Sequence, residues 1–413
     1  MGTLQGMLGL VFLVGVAFVC SENKREIAWR VVLISLGMQL CLALVLLHMP
    51  GSRHLFLFLN SLVMVLESAT RAGTSFVFGY LGGGQVPFET SANGSTYILA
   101  FRGLPLVLVI SALSSLLFYW KILPRVVQGF AWMLKRLLGI SGAEGLAVAA
   151  NVFLGMVEAP LVIKGYVQSL HKGEIFLLMV SGMATIAGTV MVLYANMIQS
   201  VLPQAMGHLI TASLLSAPAA VAMARIMVPA PASALTSAAR APASEAANSM
   251  EAITNGTLEG MKLLLNIIGM LIVLVALVAL INHLLGLVPH PGNTPLTLEG
   301  ILGWCLAPVV WLMGVPWSES LQAGSLLGTK TVLNELIAYQ HLAEQGAALS
   351  KRTRLIMTYA LCGFANPGSL GIMLGGLCGI APKRRADIVS LGLRSILAGT
   401  LATCMTGTIV GLF

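Results

Sequence analysis

Residues 139–170 read GISGAEGLAVAANVFLGMVEAPLVIKGYVQSL. Two apolar halves are joined there by Gly155-Met156-Val157-Glu158-Ala159-Pro160. A helix needs about 20 residues to cross the hydrocarbon core of a bilayer, and neither half is that long. The stretch therefore predicts a re-entrant hairpin. Its tip would be non-helical at membrane depth, which is tolerated only where the backbone is buried in protein or lines a polar cavity. Pro160 suits the first turn of the second half-helix, where its missing N–H costs nothing.

Residues 318–349 predict a second hairpin with Asn334-Glu335 at its tip, although no Gly or Pro marks that turn. Each hairpin is followed by a long span interrupted by small or helix-breaking residues. The first interruption is Ala184-Thr185-Ile186-Ala187-Gly188-Thr189, and the second is Gly363-Phe364-Ala365-Asn366-Pro367-Gly368-Ser369. Pro367 cannot donate to the carbonyl of Gly363, and Gly368 allows the break. Glu158 precedes Thr185 by 27 residues, and Glu335 precedes Asn366 by 31. Two halves, each with a hairpin-tip glutamate followed by a broken helix, match the repeat logic of secondary transporters.

Composition points the same way. Hydrophobic residues make up 57% of the 413, charged residues only 9%, and the mean hydropathy is +0.91. A soluble domain carries about 25% charge, so the chain is expected to lie in lipid. The net charge of +8 comes from short basic clusters between apolar runs. That distribution sets membrane orientation, and nucleic acid is not an expected partner. None of the six cysteines forms a C-x-x-C pair and the seven histidines show no metal spacing.

Clear span candidates are 4–20, 28–49, 97–120, 173–200, 206–228, 260–288 and 387–412, giving seven or eight crossings in all. The first is read as a retained span, since it lacks a basic n-region and a cleavage site. Residues 53–72 are amphipathic and read as an interfacial helix. Lys24/Arg25/Arg30, Lys121/Arg125/Lys135/Arg136 and Lys383/Arg384/Arg385 mark the cytoplasmic side and put both termini outside. Lys351/Arg352/Arg354 then falls on the wrong side. The Ala/Pro/Ser-rich stretch 229–250 is the linker. The chain divides into 1–138 (N-terminal spans, interfacial helix and scaffold), 139–228 (first hairpin and broken helix), 229–250, and 251–413 (scaffold helix, second hairpin and broken helix). The fold class is an all-α polytopic membrane protein with an internal repeat.

These residues also resemble the concentrative nucleoside transporter family in its bacterial members. The matching motifs are Ala72-Gly73-Thr74-Ser75-Phe76-Val77-Phe78-Gly79-Tyr80-Leu81, Glu158-Ala159-Pro160, Ala184-Thr185-Ile186-Ala187-Gly188, Leu327-Gly328-Thr329-Lys330, Asn334-Glu335 and Gly363-Phe364-Ala365-Asn366. The resemblance implies about eight transmembrane helices, two opposed re-entrant hairpins and a homotrimer in the inner (plasma) membrane with one nucleoside site per protomer. It also implies symport with sodium, a proton being the alternative, and no further cofactor.

Glu158 and Glu335 are intramembrane carboxylates. Such a charge costs several kcal/mol unless paired, hydrated or functional, and each can accept hydrogen bonds from hydroxyl or N–H groups. The plainer reading is a salt bridge or a helix-terminus carboxylate. By resemblance Glu335, Asn366 and Ser369 take ribose hydroxyls, Phe364 packs beside the substrate and Glu158 takes the base. Val190 completes the substrate-facing set. Asn366 offers a donor and an acceptor, its plainer role being to stabilise the break before Pro367, which stands where the family more usually carries Phe. Asn151 and Thr185 side chains with the Leu154 and Ile186 carbonyls match the family's sodium site. Ordinary helix–helix hydrogen bonding is the plainer reading. At the tip, Gly155-Met156, followed by Val157, resembles purine-preferring members, whereas pyrimidine-preferring ones carry polar residues there. Gly155 would free volume for a two-ring base and Met156 would offer it a polarizable surface. Glu67, Glu144 and Glu319 are expected near ends or interfaces, where snorkelling or solvation suffices.

An intramembrane enzyme is the main rival class, but no histidine falls in a broken segment to serve as a base. A channel is the other. One Asn-Pro pair is too little for a paired half-helix pore.

Overall fold

The computed structural model describes residues 2–48, 50–88, 97–156, 158–230, 246–287 and 296–413, which form helices and no strand. Two apolar helices open the chain, α1 (Gly2–Val19) and α2 (Trp29–His48). The expected interfacial segment lies within a longer helix, α3 (Pro50–Phe78). Its end folds back at Gly83, whose φ of +104° suits glycine alone. There Thr74 Oγ1 donates to the Gly82 carbonyl (2.8 Å) and Arg71 to that of Gly83 (3.1 Å). The Ala72–Leu81 motif thus builds a helix end.

A wide π-helical turn (Leu99–Gly103) leads into α4 (Leu106–Tyr119). Next comes the amphipathic α5 (Ile122–Leu138), which sequence reading left unassigned. The first hairpin follows as α6 (Gly142–Phe153), α7 (Glu158–Val162) and α8 (Lys164–Val167), with Pro160 in the first turn of α7. The broken span is α9 (Lys172–Ala184) and α10 (Gly188–Ile198), followed by α11 (Ala205–Met227). Of the linker, residues 231–245 lie outside the described residues. Its last two residues begin α12 (Ser249–Gly286), a helix of 38 residues. α12 packs on α4 through Gly256 and Gly260, where a Cβ would press on Ser115 (2.6 Å) and Ser111 (2.9 Å). Small residues permit that approach.

The second half repeats the order of the first. Residues 298–312, absent from the expected spans, form α13 (Leu298–Leu312), bent by 118° from α14 (Trp317–Val332). The 15-residue run was missed because it is short and holds Pro308. Gly314 (φ +105°) turns the chain after α13 as Gly139 (φ +64°) does after α5. The hairpin α14/α15 (Glu335–Gln345), the broken α16 (Lys351–Leu361) and α17 (Pro367–Ile380), and the closing α18 (Arg385–Gly411) complete the set. Six helices or joined helices are long and apolar enough to cross a membrane. Among the described residues the bent pair α13/α14 makes a seventh if it is one span. The core lies where α9, α11, α16 and α18 meet. α2, α3 and α12 show apolar side chains to the outside.

Two charged groups depart from expectation for a packing reason. Glu144 is not solvated at a helix end. It is 2% exposed, caps its own helix through Ser141 and pairs with Arg225 of α11 at 2.6 Å. Glu319 accepts from the Ser350 backbone and hydroxyl at the start of α16. The basic cluster that spoiled the orientation pattern is likewise engaged, Arg352 donating to the Gly314 carbonyl and Arg354 to that of Val201.

Candidate functional site

The first hairpin tip is made by stopping a helix early. Leu154 turns extended (φ −101°, ψ 174°) while its N–H still bonds the Ala150 carbonyl (2.7 Å). Gly155 then lies so close to the Glu158 carboxylate that a Cβ there would meet Oε2 at 2.1 Å, and any side chain at 155 would have to displace the carboxylate. The expectation that Gly155 leaves room for a base is therefore modified, since Glu158 itself fills that space. Met156 is 9% exposed and packs on Gly182 of α9. Val157 lies outside the described residues.

The second tip is made by a cap. Asn334 is extended and its Oδ1 accepts from Ile337 N (2.9 Å), so α15 begins at Glu335. That places the carboxylate at the positive end of a helix dipole. Glu335 is 5% exposed. Its Oε1 accepts from Tyr194 Oη of α10 at 2.7 Å, and its Oε2 from Asn366 Nδ2 at 3.0 Å. The Tyr194 ring stacks on Tyr339 with centroids 5.0 Å apart. Asn366 in turn caps α17, its Oδ1 accepting from Ser369 N (2.8 Å), with Pro367 at the first helical position. Pro367 is thus tolerated and Ser369 faces the site. Asn366 thus holds Glu335 and forms the turn expected of it.

One cavity brings these tips together. It is lined by Gly155, Met156 and Glu158 of the first hairpin, Val190 and Tyr194 of α10, and Asn334 and Glu335 of the second. Phe364, Asn366 and Ser369 add the second break, and α12 closes one wall with Asn266 and apolar neighbours. Every described candidate for substrate contact meets there. The walls are apolar and the polar groups few, the usual make-up of a small-molecule site. Two carboxylates on different hairpins suit a neutral ligand with hydroxyl or N–H donors. A second cavity, of about 660 Å³, shares Gly155, Glu158 and Ala187 with the first and runs past Ser111, Ser115, Lys164 and Glu259.

Two of the four cation candidates, Asn151 and Thr185, are in contact. Asn151 is 1% exposed, and its Nδ2 donates to Ser181 Oγ (2.8 Å). Its Oδ1 is buried without a donor among the described residues. Thr185 Oγ1 lies 3.0 Å from the Asn151 carbonyl and 2.8 Å from that of Ser181. Leu154 ends α6 and Ile186 lies in the break after α9. An orphaned acceptor among neutral oxygens, at the negative ends of two helices, fits a monovalent cation. Among the described residues no three His, Cys, Asp or Glu side chains cluster to hold a metal.

Comparison with known proteins gives a consistent answer. The family description "Na+ dependent nucleoside transporter" matches through its N-terminal part at residues 8–81 and its C-terminal part at 208–411, with "Nucleoside recognition" at 100–201. The chain is 37% identical to the nucleoside permease NupC of Helicobacter pylori, covering 100% of this chain and 98% of that one. It is 33% identical to human solute carrier family 28 member 3, covering 98% of this chain and 59% of the human protein. The solved structure of CNTnw in an inward-facing substrate-bound state superposes with a TM-score of 0.89 at 33% identity, over 100% of this chain and 98% of that one. The chain belongs to the concentrative nucleoside transporter family. It is a multi-pass membrane transporter of nucleosides, not an enzyme.

Several residues of this transporter's site escaped sequence reading. Tyr194 is one aromatic in the apolar run VMVLYANM, and nothing in its spacing ties it to Glu335, 141 residues away. The α12 wall reads as a plain span. Ser181 was the one legible omission, lying four residues before Thr185, one helical turn away.

Proposed function

We propose that this transporter imports nucleosides by symport with sodium and prefers purines, as a homotrimer in the inner membrane. The observation that carries the reading is the pair of preformed polar sites a break apart. Glu335 is held by Tyr194 and Asn366 in a cavity sized by apolar walls, and the Asn151 Oδ1 is left without a donor nearby. Asn151, Thr185 and the carbonyls of Leu154 and Ile186 would hold the sodium. Occupied, they would tie α6 to the break after α9, and hence order the tip that carries Glu158. Glu335, Asn366 and Ser369 would take the ribose, Phe364 and Val190 its flanks, and Glu158 an N–H of the base.

The purine preference rests on the first tip, where Met156 supplies an apolar wall and the sequence Gly155-Met156-Val157-Glu158 carries no side-chain amide to read a pyrimidine edge. An apolar pocket discriminates weakly, so some uridine transport remains.

Uptake of a labelled nucleoside panel into proteoliposomes, with and without a sodium gradient, tests the reading. Accumulation of adenosine, guanosine and inosine ahead of uridine, dependent on sodium, is expected. Uptake indifferent to sodium and driven by a pH gradient defeats the coupling, and tighter binding of uridine or cytidine defeats the purine preference. Met156→Gln with Val157→Thr should shift competition towards pyrimidines.

A further inference from the structure

Lys330 is 0% exposed, and its Nζ donates to the Ala360 carbonyl (2.8 Å) and to Thr403 Oγ1 (2.7 Å). No carboxylate lies within ion-pair distance of it among the described residues. Glu335 attracts it without contact, and a buried ammonium with no contacting counter-ion is costly, so it calls for an explanation beyond packing.

The internal repeat supplies one. Ala360 is the second-to-last residue of α16, the helix that ends at the second break. The last four carbonyls of any helix lack intrahelical donors and carry its negative dipole end. In α16 all four have partners. Tyr339 Oη serves Thr358, Cys362 N serves Tyr359, Lys330 Nζ serves Ala360 and Gly363 N serves Leu361. The ammonium brings the one positive charge to that end.

The end of α9 is the counterpart, and it is finished differently. Ser181 has the Thr185 hydroxyl, but the carbonyls of Gly182, Met183 and Ala184 have no donor among the described residues. The orphaned Asn151 Oδ1 lies beside Gly182, 3.5 Å from where its Cβ would be. Register makes the match specific. Ala360 follows Glu335 by 25 residues, as Met183 follows Glu158. Lys330 is the third residue from the end of α14, and the residue in that place at the end of α6 is Asn151, which has no charge. The two ends touch, since a Cβ at Gly363 would lie 2.8 Å from the Met183 carbonyl.

We propose that Lys330 is a tethered cation, a positioning residue that holds the end of the second broken helix as an exchangeable cation holds the first. One half of the repeat thus carries its positive charge covalently and the other borrows it from solution, which limits the cycle to one exchanged cation per protomer. The inference rests on the cation-coupled reading above.

Two variants test it: Lys330→Ser and Lys330→Arg, each compared with wild type for thermal unfolding in detergent, in sodium chloride and in choline chloride, and for sodium dependence of uptake. Lys330→Ser should gain a second sodium requirement, its uptake steepening from a Hill coefficient of about one towards about two. Its unfolding temperature should also rise more in sodium than that of wild type. Lys330→Arg should retain wild-type behaviour. Lys330→Ser with the wild-type sodium response overturns the proposal, as does Lys330→Ser that is unfolded in both salts. Wild type indifferent to sodium defeats the coupling reading alone. A sodium requirement that then appears only in Lys330→Ser still supports the tether.

Discussion

Glu335 has its two oxygens oriented before any substrate arrives, Oε1 by Tyr194 and Oε2 by Asn366. Side chains ordered in advance lose less conformational freedom on binding. Glu335→Ala should abolish nucleoside uptake while leaving the protein folded in the membrane, and near-normal uptake would sink the assignment. Tyr194→Phe keeps the ring on Tyr339 and removes only the hydroxyl. A hydrogen bond to a charged group is worth about 1.5–3 kcal/mol, so nucleoside Kd should rise roughly tenfold or more with unfolding temperature little changed. Titration calorimetry on the purified variant measures both sides of that claim. The glutamate was legible in the sequence because a carboxylate in an apolar chain draws attention by its cost. The tyrosine was not, because a phenol among valines and leucines looks like core.

The elements around the site begin and end on polar side chains that a sequence shows only in part. Asn366-Pro367 announces the second break plainly, since proline both ends one helix and starts the next. The Asn334 cap is quieter, and the hairpin it starts was legible mainly through its glutamate and its spacing from the break. Asn366 permits a separation of roles. Asn366→Ser keeps a capping oxygen for Ser369 N but is too short to reach Glu335. Asn366→Ala loses both. Loss of an N-cap costs about 1 kcal/mol, so the alanine variant should be measurably less stable than the serine variant, while both are equally poor in nucleoside binding. Thermal unfolding and binding measured on the same preparations would show it, and a serine variant that binds normally would confine Asn366 to capping. α13 was illegible for a different reason: a 15-residue apolar run holding a proline is too short to be read as a span, and its partner α14 lies far off its axis.

At the scale of the molecule the two halves are joined where their breaks cross. A Cβ on Gly363 would meet Thr403 Cγ2 at 2.7 Å and the Met183 carbonyl at 2.8 Å, and one on Gly399 would meet Met183 Cβ at 2.5 Å. Backbone cannot yield as a flexible side chain can. Gly363→Ala should therefore separate the broken helices and disturb both polar sites at once. Loss of uptake is expected together with a lower unfolding temperature, and an alanine variant with unaltered uptake and stability would show the crossing to be slack. The repeat itself was readable from two glutamates and two breaks at similar spacing. The crossing was not, because it depends on Gly363 meeting Met183, 180 positions away, and no spacing connects the two.

The 38 residues of α12 have one further consequence. At 1.5 Å per residue the helix is about 57 Å long, and its part beyond the last Lys or Glu, from Leu263 to Gly286, is about 36 Å, longer than a bilayer core of about 30 Å. Its middle, from Leu263 to Leu274, is the cavity's wall, while most of its surface faces outward. Hydrophobic mismatch is relieved by tilt, so a lipid that changes the tilt of α12 moves that wall. Acyl-chain length thus becomes an adjustable parameter of the site. Uptake in proteoliposomes made from a graded series of lipids should pass through an optimum, whereas the same protein in detergent should bind nucleosides without one.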